Sequence, residues 1–338
     1  MGGMPDSQVP STRRARRQVE RRRAERARRV AVWIVGGVLA VGGSVAVGSA
    51  LAGATVAPDE RIGATDAAGS ALQAAAEPGI TALPAPVMQS DAPETTASDA
   101  TCEQPAVTDA LESGSDADVI AAFGGADAFR SAVAEGEAPC IDLAEAGRIW
   151  VVVNKHQALD PIDYWPVPQA RADGVQRTSG GHMRADVADA LEQLASAAAN
   201  EVGAIGVNSG FRSYEFQIGT YNGYVDSLGR ESADLTSARP GHSEHQTGLA
   251  VDVVACSNGC GGIEPFGSTA QADWVAENAW RFGFIVRYES GQTRVTGYEW
   301  EPWHLRYIGT DLTQAYHDGG FHTLEDFFGL DPAPDYVD

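Results

Sequence analysis

The run Leu249-Ala250-Val251-Asp252-Val253-Val254 constrains the fold more than any other stretch of the chain. It is apolar on both faces apart from one carboxylate, so it is expected as a central, buried strand. A carboxylate in that position is costly unless something positive compensates it. Seven residues earlier stands His245, in the polar, glycine-flanked loop Gly241-His242-Ser243-Glu244-His245-Gln246-Thr247-Gly248 that feeds into the strand. Farther on, Glu301-Pro302-Trp303-His304 offers a second histidine with a glutamate three residues before it. Two imidazoles and one carboxylate make a three-ligand zinc set that leaves the fourth tetrahedral position open, and a further glutamate beside it can act as general base.

The surrounding residues read as an α+β domain from residue 148 to 338. Ile149-Trp150-Val151-Val152-Val153 is a β-rich apolar run, and Pro161, Pro166 and Pro168 then force an extended loop. Residues 182–201 carry Met183, Val187, Leu191 and Leu194 on one helical face. A short strand at 204–208 leads into Ser209-Gly210-Phe211-Arg212-Ser213, where Ser213 can cap a helix that Gly229 would end. A helix at 270–281 and strands at 284–288 and 304–308 complete the pattern. There is neither a regular βαβ alternation nor a GxGxxG, so a doubly wound nucleotide fold is unsupported.

Ser243-x-His245-x-x-Gly248-x-Ala250-x-Asp252, followed by Glu301-x-Trp303-His304, resembles the signature of the VanY-type zinc D-alanyl-D-alanine carboxypeptidases, peptidase family M15. The runs SEHQTGLAVD and SGFRSYEFQ are closer to its carboxypeptidase branch, which includes L,D-carboxypeptidases, than to its dipeptidase branch. The similarity covers about residues 148–325. It implies an antiparallel sheet with packed helices, the hedgehog/DD-peptidase-like zinc peptidase fold. It makes His245, Asp252 and His304 the Zn²⁺ ligands and Glu301 the base. Arg212 becomes the stabiliser of the oxyanion, with Gln217 and Ser243 contacting substrate. The implied substrates are peptidoglycan stem peptides, from which the C-terminal D-alanine is removed. L,D-carboxypeptidase action on tetrapeptide stems and a non-catalytic wall-binding module are the alternatives. Taken alone, the bland readings stay open: Arg212 could pair with Glu244 or another acid, Gln217 could face solvent, and Ser243 could only shape its loop. Trp303 is expected beside the metal, and His156, His182, His242, His317 and His322 read as structural or surface residues.

Outside this domain the charge is very uneven. Residues 1–30 hold ten arginines against Asp6, Glu20 and Glu25, although the whole chain is −22. An acidic body of that kind repels nucleic acid, which excludes that class of partner. Residues 31–53 are apolar or small, enough for a transmembrane helix behind a basic cytoplasmic segment, which would make the chain a single-pass protein of the cell membrane with its body outside. Ala50-Leu51-Ala52 leaves a cleaved signal peptide as the rival. Residues 54–100, rich in Ala, Pro, Thr, Ser and Asp, read as a disordered linker, and residues 101–147 as a small helical segment of no apparent chemistry. Four cysteines suit export; the sequence-local pairing is Cys102 with Cys140 and Cys256 with Cys260, with zinc at Cys256-x-x-x-Cys260 the rival. A monomer is expected.

Overall fold

A computed structural model describes residues 97–337. Four short helices come first, α1 (Ala97–Cys102), α2 (Pro105–Ser113), α3 (Asp116–Ala122) and α4 (Ala126–Ala134). Pro105 opens α2, where a missing N–H does no harm. Ser115 and Asp118 satisfy each other's backbone N–H groups in a capping box on α3. The Cys102–Cys140 disulfide closes this segment. Val107, Ile120 and Phe129 join the same hydrophobic core as Trp150, Leu191, Val253 and Phe327. The rings of Phe129 and Trp150 lie 5.2 Å apart, and Arg130 Nε donates to the Phe327 carbonyl at 2.8 Å.

Next come β1 (Gln169–Ala170), β2 (Gln176–Arg177), β3 (Met183–Arg184), α5 (Ala185–Glu201) and β4 (Ile205–Ser209). Helix α6 (Tyr214–Leu228) starts where the Ser213 hydroxyl accepts from Phe216 N and stops at Gly229, whose φ of 80° suits glycine. It is followed by α7 (Arg230–Thr236), β5 (Ala250–Ala255), α8 (Ala270–Asn278), β6 (Phe284–Tyr288), α9 (Thr293–Thr296), β7 (Glu301–Tyr307), α10 (Thr310–Asp318) and α11 (Leu324–Phe327). The main sheet runs β2-β4-β5-β7-β6. It is antiparallel except at its edge, where β2 pairs parallel with β4. A parallel pair needs a long crossover, and α5 supplies it. The fold is therefore α+β, with β5 central and buried as its composition demands.

The run at 149–153 is buried but forms no ladder. Arg306 takes its carbonyls instead, through Nη2 to Ile149 O at 3.1 Å and Val151 O at 2.6 Å.

The expected basic segment and the apolar span at 31–53 lie outside the described residues, as does the linker up to residue 96. The expectation of a single-pass membrane protein is corrected by the helices themselves: among the described residues none is long and apolar enough to cross a membrane. The longest, α5, has 17 residues, about 25 Å of helix against about 30 Å of hydrocarbon. It also carries Asp186, Asp189, Glu192 and Glu201.

Candidate metal centre

Sheet register places the key side chains. Asp252 in β5 stands opposite Ser209 of β4 on one side and His304 of β7 on the other. His245 sits in the 3-10 turn Glu244–Thr247 just before β5. Gly248 ends that turn at φ 74°, and a Cβ there would meet Pro166 Cγ at 2.9 Å, so only glycine lets the chain swing this tightly into the strand.

His245, Asp252 and His304 are all buried, and one ligand atom from each lies within 4.8 Å of the others. His245 Nε2 is 3.2 Å from Asp252 Oδ2, and His304 Nδ1 is 3.3 Å from Asp252 Oδ1. The two separations run to different oxygens of Asp252, and each is near the spacing of about 3.3 Å between two donors that share an ion at bonds of about 2.0 Å. Asp252 Oδ1 is buried with no hydrogen-bond partner, a costly state that a cation between the donors would relieve. The outer nitrogens are engaged: His245 Nδ1 meets the Gly210 carbonyl at 2.8 Å, and His304 Nε2 meets Glu244 Oε2 at 3.2 Å. A proton on each of these outer nitrogens leaves the inner lone pairs free for a metal. The residues therefore fit a tetrahedral zinc ion.

Charges follow from burial and these neighbours. Burial and the nearby Arg212 push His245 down to about 4. Burial also opposes charge on His304, but Asp252 and Glu244 outweigh it and raise the ring to about 9. Burial would raise Asp252, yet His245 and Arg212 hold its carboxyl well below the usual range. Glu301 Oε2 lies 3.6 Å from His304 Nδ1, and burial lifts its carboxyl to about 8.

A cavity of about 340 Å³ opens over the cluster, lined among others by Arg212, Ser243, Glu301 and Trp303. Arg212 donates to Asp252 Oδ2 at 2.6 Å and to Ser209 Oγ at 2.8 Å, so the acid that its guanidinium pairs with is Asp252 and not Glu244. Phe216, Thr220 and Tyr224, spaced four apart on α6, form one wall. Gln217 is not brought to this cavity. It is fully buried and donates to the Ala238 carbonyl at 2.7 Å and Ser237 Oγ at 3.3 Å, bracing the 236–238 wall from behind. Both disulfides are formed, Cys102–Cys140 and Cys256–Cys260, so no thiolate pair competes for metal among the described residues.

Sequence reasoning considered Glu244 only as an alternative partner of Arg212 and missed its contact with His304. Its side chain is fully buried, with Arg287 Nε and Arg306 Nη1 both at 2.9 Å from Oε1. Burial alone would raise its carboxyl, but the two guanidinium groups hold it well below the usual range. The available signal was an arginine within each of the runs FIVRY and PWHLRY, as costly in a covered sheet as Asp252.

The family model described as VanY, D-alanyl-D-alanine carboxypeptidase, matches residues 180–310. YodJ of Bacillus subtilis (strain 168), named as a carboxypeptidase, is 40% identical over 184 residues, which is 53% of this chain and 67% of that protein. A D-alanyl-D-alanine carboxypeptidase of Enterococcus faecalis (strain ATCC 700802 / V583) is 37% identical over 166 residues, 46% of this chain and 59% of the relative. Among solved structures, the LdcB LD-carboxypeptidase is 39% identical with a TM-score of 0.50, covering 54% of this chain and 86% of that one.

Proposed function

This chain belongs to the VanY family of D-alanyl-D-alanine carboxypeptidases, and from that premise we propose that it is a zinc-dependent hydrolase that removes the C-terminal D-alanine from peptidoglycan stem peptides. The observation that carries the reading is the convergence of His245, Asp252 and His304 with Glu301 3.6 Å from the inner nitrogen of His304. A structural site has no use for that extra carboxylate.

In this reading His245 Nε2, Asp252 and His304 Nδ1 hold the zinc. Zinc held there supplies Lewis acidity to the scissile carbonyl and brings the pKa of water toward neutrality. Glu301 takes the proton of the attacking water and hands it to the leaving D-alanine amine. A carboxyl lifted toward neutral pH suits both halves of that transfer. The carbonyl oxygen gains negative charge as the tetrahedral centre forms, and Arg212, anchored by Ser209, presents a fixed guanidinium to it. In the same reading Ser243, buried at the cavity wall, contacts the substrate. Residues 148–338 make up the catalytic domain, with the helices of 105–134 packed into its core.

The 39% identity to the LdcB structure favours a second reading, L,D-carboxypeptidase action on tetrapeptide stems. Purified protein with zinc is given a pentapeptide and a tetrapeptide stem, and the released residue is identified by mass spectrometry. D-alanine released from the pentapeptide is the expected result. Release from the tetrapeptide alone overturns the D,D assignment in favour of the L,D one, and no release from either overturns both.

A further inference from the structure

We infer that Glu244 is a positioning residue for the metal centre: its carboxylate fixes the proton of His304 on Nε2, so that Nδ1 presents a lone pair to the ion. The inference rests on the zinc reading above and concerns a residue outside the three ligands and the base. The two oxygens of Glu244 divide their labour. Oε1 receives Arg287 Nε and Arg306 Nη1, both at 2.9 Å, while Oε2 faces His304 Nε2 at 3.2 Å. All three of Glu244, Arg287 and Arg306 have fully buried side chains.

The carboxylate cannot swing away, because its partners are anchored in turn. Arg287 makes a two-pronged contact with Glu325, through Nη1 to Oε2 at 2.9 Å and Nη2 to Oε1 at 2.8 Å. Glu325 also receives Asn154 Nδ2 at 3.1 Å. Arg306 is held by the Ile149 and Val151 carbonyls. Two acids and two guanidinium groups balance, so the network sits in the core without net charge. Its one bond to a group beyond itself that reaches the metal centre is the bond to His304. A carboxylate accepting from the outer nitrogen of a ligating histidine fixes both tautomer and ring orientation, and loss of such a partner lowers metal affinity by about 10- to 100-fold.

The test is Glu244→Gln. Both guanidinium groups can only donate, so the new amide must turn its oxygen toward them and its NH₂ toward His304. His304 then meets a donor at Nε2 and is driven to carry its proton on Nδ1, the metal-facing atom. Zinc affinity is read by chelator competition on the full chain, with folding checked by near-ultraviolet circular dichroism. The expected result is a folded variant whose zinc Kd rises at least tenfold. Glu244→Asp, which keeps the charge but retracts it by one methylene, is the second variant and is expected to move the same way. A zinc Kd within threefold of wild type in either folded variant overturns the inference, including where only the melting temperature drops, since that is the mark of a structural role. Should neither fold, nitrogen-15 NMR of zinc-loaded wild-type protein decides: a slowly exchanging His304 Nε2–H supports the inference, and a proton on Nδ1 overturns it. Wild-type protein that takes up no zinc brings down the metal reading and this inference with it, whereas an unchanged variant Kd brings down the inference alone.

Discussion

Zinc uptake should depend steeply on pH, because the metal-free cluster holds a proton where the ion belongs. With His304 raised to about 9 and His245 lowered to about 4, one ring is charged and the other neutral at pH 7. Only the neutral ring offers a lone pair, so zinc must displace a proton from His304. The apparent affinity then falls about tenfold for each pH unit below 9. Between pH 9 and pH 7 that is about 100-fold, or about 2.7 kcal/mol. Glu301, lifted to about 8, adds up to a second proton below pH 8 if the cation expels it. Stability of the metal-free protein runs the opposite way. The raised His304 contributes stability that is complete below its ordinary 6.5 and is lost as pH rises through 9, and the raised Glu301 contributes stability complete below 4.5 and lost through 8. His245, lowered, contributes only above 6.5 and loses that contribution as pH falls through 4. Chelator-competition titrations from pH 6.5 to 9.5, corrected for protonation of the chelator, measure the first trend. Thermal melts of chelated protein measure the second. An affinity that stays flat from pH 7 to pH 9 refutes the charge assignment of the cluster.

Glu301→Gln should keep zinc affinity within a few-fold and lower kcat by about 10²- to 10⁴-fold, the usual worth of a placed proton carrier; a matching loss of zinc would make Glu301 a ligand instead. Arg212→Ala should lower kcat by about 10²- to 10³-fold with a smaller change in KM, and a rise in KM with kcat intact would assign Arg212 to ground-state binding. Replacing Cys102 and Cys140 by serine opens a loop of 38 residues, worth about 4 kcal/mol of chain entropy, against about 2 kcal/mol for the four-residue separation of Cys256 and Cys260. Urea unfolding of the two double variants should preserve that order.

Much of the fold was legible because its signals are local. The apolar face of α5, the Ser213 cap and Gly229 stop of α6, and the doubly apolar β5 each require only neighbouring residues to be read. Elements that depend on distant partners were harder. Residues 149–153 have strand composition, yet their carbonyls are claimed by Arg306 from more than 150 positions away, so no ladder forms. Strand β7 begins at Glu301, earlier than the sequence suggests, because the register shift between Val286 and Tyr288 accommodates Pro302, which has no N–H to give the ladder. The parallel edge strand β2 is two residues long, too short for any periodicity.

The same division runs through the candidate site. Asp252 announces itself, since a lone carboxylate in an apolar strand demands a partner, and the two histidine blocks supply candidates. Arg287 and Arg306 make an equal demand, but an arginine alternating with apolar residues reads as the solvent-facing half of a strand. Here both side chains are fully buried, and the acid that balances them is Glu244, adjacent to a ligand. Gln217 shows the converse: the family resemblance implies that it contacts substrate, yet its place on α6 turns it inward to hold the 236–238 wall. A charge inside a hydrophobic run is thus informative whichever its sign, and pairing every such charge with an opposite one would have brought Glu244 to the metal centre from the sequence. What sequence cannot supply is the direction in which a polar side chain leaves its helix, and that direction separates a group that touches substrate from one that braces the wall behind it.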